Sequence, residues 1–225
     1  MKRKISPFGE QLYPDLSLEL PLWQAGLQLV AGLDEAGRGA WAGPVAAAAV
    51  ILPVDAGLCE RLSGVRDSKK MTSRQRGIWA EQIQRVALSW GVGFASSDEI
   101  DALGIIAATR LAMQRALDGL HVPPVYLLID ALGLPEEELP QTYLPKGDAR
   151  SLSIAAASVL AKTQRDALMA ALDLQFPAYG FAFHKGYGTF RHREALHQWG
   201  ACPIHRASFA PVRGCQQGNT ERWSG

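Results

Sequence analysis

Along the 225-residue chain, short apolar runs alternate with longer stretches of mixed polarity. QLVAGLDE (28–35) and PVAAAAVIL (44–52) are apolar almost throughout, and a glycine-containing stretch separates them. That pattern predicts two buried strands joined as a hairpin. SWGVGFAS (89–96) and VYLLID (125–130) read as further strands. Helical spacing predicts a helix from Met71 to Leu88, capped by Thr72 or Ser73, with Ile78, Ile83 and Val86 on one side. Further helices are predicted from Ile105 to Leu120, from Ser153 to Leu174 and from Phe190 to Trp199. Strands first, then helices alternating with strands, predict an α/β chain with a mixed central sheet covered by helices. No repeat or low-complexity linker divides it. The expected organisation is a lead-in over 1–27, one domain over 28–212 and a polar, mobile tail over 213–225.

Composition changes this picture little. A hydrophobic fraction of 48% and a charged fraction of 20% describe a globular chain with a sizeable core. The net charge of +1 is uninformative, but Lys and Arg outnumber Asp and Glu two to one from Gln141 onward, while acids are in excess before it. The C-terminal portion can therefore take an anionic partner. Cys59, Cys202 and Cys215 show no CxxC spacing, which argues against a zinc site or disulfide framework and for a reducing, cytoplasmic location. MKRKISPFGEQ carries positive charge without the apolar run of a signal peptide. The longest apolar run, Val45 to Leu52, is far short of the roughly 20 residues that cross a bilayer, so no membrane association is expected.

Four acids sit where core is expected to meet solvent: Asp34 and Glu35 in the first strand, Asp130 ending VYLLID, and Asp148 in PKGDAR. Strand ends at one edge of a sheet bring distant segments together. Clustered carboxylates repel, and a divalent cation relieves the repulsion. Oxygen donors without nearby His or Cys point to Mg2+ or Mn2+ rather than zinc. The competing reading is that these are surface acids or partners of Arg and Lys. One geometric difficulty is plain: neighbours in a regular strand face opposite ways. Either the strand breaks at Glu35, or one of the pair contributes indirectly.

The wording of these segments carries further information. GLDEAGRG, AGPVAAAAVIL, DSKKM, LLID, KGDARSLSIAAASVLAKTQRD, FPAYGFAFHKGYGT and HRASFAPV, in this order over Val30 to Val212, resemble bacterial ribonuclease HII. The resemblance implies an RNase H-like fold with a C-terminal helical extension that helps grip a duplex. It implies an endonuclease that cuts the RNA strand of RNA–DNA hybrids and nicks duplex DNA 5′ of a single embedded ribonucleotide. Asp34, Glu35, Asp130 and Asp148 match the family's catalytic, metal-binding carboxylates. Asp34 and Asp130 would be central to two Mg2+ or Mn2+ ions, with Glu35 and Asp148 completing the sites. Gly37, Arg38 and Gly39 match the motif that senses the ribose 2′-hydroxyl, and Tyr187 matches the tyrosine that packs on the sugar at the RNA–DNA junction. The implied products carry a 3′-hydroxyl and a 5′-phosphate, and a monomer is expected.

Around these motifs, Lys69, Lys70, Lys146, Lys162, Lys185, Arg191, Arg193 and Arg206 are candidates for phosphate contact. Asp166 is a weaker candidate for a supporting role near the metals. His184, His192, His197 and His205 read more simply as surface or core-capping groups than as proton carriers. Ser151, Ser153 and Ser158 need no catalytic role. The chain departs from the family where Ala131 stands in place of the usual Gly after the third acid. If that position requires positive φ, Ala131 displaces Asp130 slightly; the expectation is tolerance, not inactivity. The nearest rivals are ribonuclease HIII, expected to carry an added N-terminal domain, and a hybrid-binding protein without catalysis, against which all four acids argue.

Overall fold

The computed structural model describes residues 13–220. The expected mixed sheet flanked by helices is present. Helix α1 (Glu19–Gln24) leads into strands β1 (Val30–Ala36) and β2 (Val45–Ile51). After the short α2 (Leu58–Arg61) come α3 (Ser73–Val86), β3 (Ser89–Ala95), α4 (Ser97–Leu103) and α5 (Ile105–Asp118). Then follow β4 (Tyr126–Asp130), β5 (Gln141–Leu144), α6 (Leu152–Gln175), α7 (Phe181–His184), α8 (Phe190–Trp199) and α9 (Ala210–Thr220). The sheet order is β3-β2-β1-β4-β5. β1 pairs antiparallel with β2 and parallel with β4; β2–β3 is antiparallel and β4–β5 parallel.

Both faces of this sheet are covered, which is why its strands read as unbroken apolar runs. On one face Val30, Ala48 and Val50 join Ala155, Ala156 and Val159 of α6. On the other, Ala31, Leu33, Ala47 and Ala49 pack with Ala108, Ala112 and Met113 of α5. Small residues let the helices approach closely. A Cβ on Gly32 would lie 2.2 Å from the Ser153 backbone, so β1 accepts the first turn of α6 only because that residue has none.

Three differences from expectation have physical causes. Ile78 is exposed, and the buried positions of α3 are Arg76, Ala80 and Ile83. Arg76 can replace an apolar residue there because its guanidinium bonds to the Ser68 and Met71 carbonyls and to Asp166. The lead-in contains α1, whose Glu19 and Trp23 are buried. Residues 213–220, expected in a tail, continue α9, while 1–12 and 221–225 lie outside the described residues. Among the described residues, no helix is long and apolar enough to cross a membrane.

Candidate active site

β1 is the central strand, and its end carries two of the predicted acids. The ladder to β2 continues through Glu35↔Ala47 and Ala36↔Ala46, so the strand does not break at Glu35. Asp34 therefore lies on the α6 face of the sheet and Glu35 on the opposite one. Asp34 is 3% exposed. β4 lies parallel alongside, paired as far as Leu33↔Ile129, so Asp130 ends its strand next to Asp34. Asp148 reaches the same edge from a 3-10 turn (Gly147–Ala149) after β5, where it is buried. That turn is tied to β4 by the Gly147 amide, which donates to Asp130 Oδ1 at 2.6 Å.

The electrostatics show how close the four groups are. Burial pushes the Asp34 carboxyl well above its usual range, and the charges of Glu35, Asp130 and Asp148 push it further. Burial likewise raises Glu35 and Asp148, with Asp130 adding to both. Lys69 leans on the same cluster: burial opposes its charge, yet Asp34, Asp148, Asp67 and Asp130 outweigh that and hold its pKa high.

Whether a cation fits here is a question of donors and of unmet bonding. All four donors are hard carboxylate oxygens, and Glu35 Oε2 is buried without a hydrogen-bond partner among the described residues. Among those residues no group of three or more His, Cys, Asp or Glu side chains is already arranged to hold an ion. Glu35 pairs with Arg38 (3.2 Å), and Asp130 accepts from the Gly147 amide. The donor chemistry of the four acids suits a hard divalent cation.

Beside the acids lies an open cleft of about 500 Å³, lined by Glu35, Gly37, Arg38, Gly39, Lys69, Lys162, Tyr187 and Phe209, among others. Glu35 and the predicted glycine–arginine and tyrosine residues thus line the same cleft, and Asp34, Asp130 and Asp148 are not part of its lining. Gly37 has φ +94, and a Cβ there would meet the Arg165 side chain at 1.9 Å. Gly39 faces open space, so its backbone is the part of the loop a ligand can approach. Tyr187 lies beneath two cations, with Lys162 Nζ at 5.4 Å and Arg165 at 5.5 Å from its ring centre. Its carbonyl contacts His192 Nδ1 at 3.0 Å.

Two residues that sequence reasoning misjudged hold this loop. Arg206, a candidate for phosphate contact, is fully buried and donates to the carbonyls of Gly37, Arg38 and Gly43 at 2.8–2.9 Å. Arg165, not singled out, is also fully buried and donates to Pro44, Ala42 and Lys185 carbonyls. Asp166 pairs with Arg76 (2.8 Å) and Lys162 (2.6 Å), steadying a cleft-lining lysine. His184, His192 and His205 are buried together against Phe181. The only hint of these roles in the sequence was the position of both arginines inside otherwise apolar or motif-rich segments.

Comparison with known proteins agrees with the geometry. A family model described as Ribonuclease HII matches residues 31–212. The chain is 54% identical over 202 residues to the ribonuclease HII of Chloroflexus aurantiacus, a match covering 89% of this chain and 95% of that one. It is 55% identical over 206 residues to the ribonuclease HII of a Synechococcus species, covering 91% and 92%. Among solved structures, the ribonuclease H2 of Pyrococcus horikoshii is similar with a TM-score of 0.70 at 27% identity, covering 85% of this chain and 99% of that one. The sheet, the acidic strand ends and these matches agree: the chain belongs to the ribonuclease HII family of metal-dependent nucleases, which act on RNA paired with DNA.

Proposed function

We propose that this chain, acting as a cytoplasmic monomer, cuts the RNA strand of RNA–DNA hybrids and nicks duplex DNA 5′ of a single embedded ribonucleotide. The observation that carries this reading is the position of the acid cluster. A buried Asp34, opposed by the charges of Glu35, Asp130 and Asp148, adjoins a cleft walled by Gly37-Arg38-Gly39 and Tyr187. Asp34 and Asp130 would hold the divalent ions, with Asp148 and, in the indirect role that its place on the opposite face of β1 leaves it, Glu35 completing the sites. When bound, such ions activate water and stabilise the leaving 3′ oxygen of an in-line displacement, which yields 3′-hydroxyl and 5′-phosphate ends.

The remaining selectivity belongs to the chain's own groups. A ribose 2′-hydroxyl both donates and accepts, and it is what separates RNA from DNA at one nucleotide. The open backbone at Gly39 can reach it, and Arg38, 3.2 Å from Glu35 and lining the same cleft, can donate to a phosphate. The Tyr187 ring, with Lys162 and Arg165 stacked close to it, offers a flat apolar surface to the neighbouring sugar. Lys69 and Lys162 supply positive charge along the same cleft.

With Mg2+ or Mn2+, the purified chain is expected to nick a DNA duplex containing one ribonucleotide and to leave the all-DNA duplex intact. Denaturing electrophoresis of end-labelled strands reads both the position and the ends. Asp34→Asn is expected to abolish turnover while hybrid binding, measured by fluorescence anisotropy, is largely kept. Equal cutting of both duplexes rejects the selectivity, and normal kcat in Asp34→Asn rejects the ligand assignment.

A further inference from the structure

Helix α1 carries a carboxylate that nothing in the proposed chemistry uses. Glu19 is 0% exposed, and its Oε1 accepts from Ser151 Oγ (2.6 Å), Ser153 Oγ (2.7 Å) and the Ser153 amide (3.0 Å). These partners are the first residues of α6, more than a hundred positions away in the chain. Burial opposes the charge of Glu19 and raises its pKa despite those hydrogen bonds, and Oε2 has no partner among the described residues. A charged group this costly to bury calls for a use.

Helix capping does not account for it. Ser151 already caps α6 by accepting from the Ile154 amide at 3.1 Å. What Glu19 adds is a link between α1 and the segment that precedes α6. That segment carries Asp148, and its path is not set by β5 alone: Lys146 turns out of the strand at φ 58. On one side Gly147 is tied to Asp130, and Ile154 Cδ1 packs so closely that a Gly147 Cβ would lie 2.7 Å from it. On the other side the Leu152 amide donates to the Asp15 carbonyl (2.9 Å) and the Asp15 amide to the Arg150 carbonyl (3.3 Å). The Ser151 amide closes the turn on the Gly147 carbonyl at 2.8 Å. Residues 147–153 are thus strung between an active-site acid and the α1 segment.

We propose that Glu19 is a positioning residue for the active site: through Ser151 and Ser153 it fixes the start of α6, and with it the placement of Asp148 among the metal-binding acids. This rests on the reading that Asp148 holds an ion. Loss of the link frees the turn to sample positions in which Asp148 no longer faces Asp130, so the cost falls on ion binding rather than on the chemical step.

The test compares Glu19→Gln, Ser153→Ala, Asp148→Asn and a remote core variant, Ile83→Val, in the full chain. Mn2+ affinity is read by calorimetry without nucleic acid, and the metal dependence of nicking is read separately. Supporting groups behind a metal ligand change affinity by about tenfold or more, and that is the weakening expected for Glu19→Gln, with kcat at saturating metal retained. Ser153→Ala is expected to follow in the same direction, and it decides the matter if Glu19→Gln does not fold. Ile83→Val lowers the Tm without moving Mn2+ affinity. Unchanged Mn2+ affinity in Glu19→Gln and Ser153→Ala, or a loss of kcat that saturating metal does not restore, overturns the proposal. Asp148→Asn separates the two ideas: if it too leaves Mn2+ affinity unchanged, the assignment of Asp148 as a ligand falls as well.

Discussion

Ala131 follows Asp130 immediately, and its backbone has φ 54. The Leu132 amide closes a three-residue turn on the Asp130 carbonyl at 2.6 Å, while the Ala131 amide stays on β5 through Leu144. The chain must therefore reverse within one residue of a candidate active-site acid, in a region that L-residues enter at a cost of about 1–2 kcal/mol. Alanine thus occupies a positive-φ position here. Ala131→Gly is expected to remove that strain, partly offset by the greater freedom glycine has when unfolded, for a net gain of about 1 kcal/mol. Urea unfolding in chelator measures it; a destabilised variant would show that the turn is relaxed with alanine. At this level the sequence was informative about chemistry and silent about conformation. Four acids ending or following apolar runs could be picked out by type and place, but nothing in the letters says that Glu35 points to the opposite face from Asp34 without breaking its strand.

Beside backbone bonds from Trp41 to Gly186 and from Gly43 to Ile204, two buried arginine side chains hold the segment between β1 and β2. Arg206, from just before α9, bonds to Gly37, Arg38 and Gly43, and Arg165 of α6 bonds to Ala42 and Pro44. Each guanidinium is satisfied by carbonyl oxygens alone, which is how an arginine can be buried without a carboxylate. Through them the C-terminal helices and the long central helix set the shape of the loop that faces the cleft. Arg206→Met keeps the bulk and strands the carbonyls it served. Orphaned buried acceptors cost about 1–3 kcal/mol each, so a loss of about 3 kcal/mol is expected in urea unfolding. Nicking at the ribonucleotide is expected to fall more than the binding of the all-DNA duplex. A change under about 0.5 kcal/mol, the range of ordinary surface substitutions, would show that water replaces the guanidinium freely. Hydropathy could not have found this, because the partners are backbone atoms and leave no side-chain signature.

Across the molecule, what could be read from sequence were β1 to β4, α3, α5, α6 and α8. Among the missed ones, α1 is six residues with a proline inside, and β5 is four residues, two of them exposed. Titration behaviour also emerges only at this level, because it depends on what is packed against what. His192 and His205 are buried with their Nε2 atoms 3.0 Å apart, and burial lowers each to about 4. In the unfolded chain both take protons near 6.5, so the unfolded state binds more protons between the two values. Their contribution to stability is complete above pH 6.5 and is lost as pH falls towards 4. Asp34, Glu35 and Asp148 work the other way. Burial and then mutual repulsion raise them, so the folded state holds protons that the unfolded chain has already released, and stability falls as pH rises through their folded values. On the proposed ligand assignment, a divalent ion held by these carboxylates would replace those protons. The increment in Tm from Mn2+ over chelator is therefore expected to grow between about pH 5 and about pH 8, while the acid-side decline persists in both series. Scanning calorimetry across that range checks it. An increment independent of pH would mean that the ion binds away from the buried carboxylates, and loss of the acid-side decline would mean that the paired imidazoles are already charged in the folded protein.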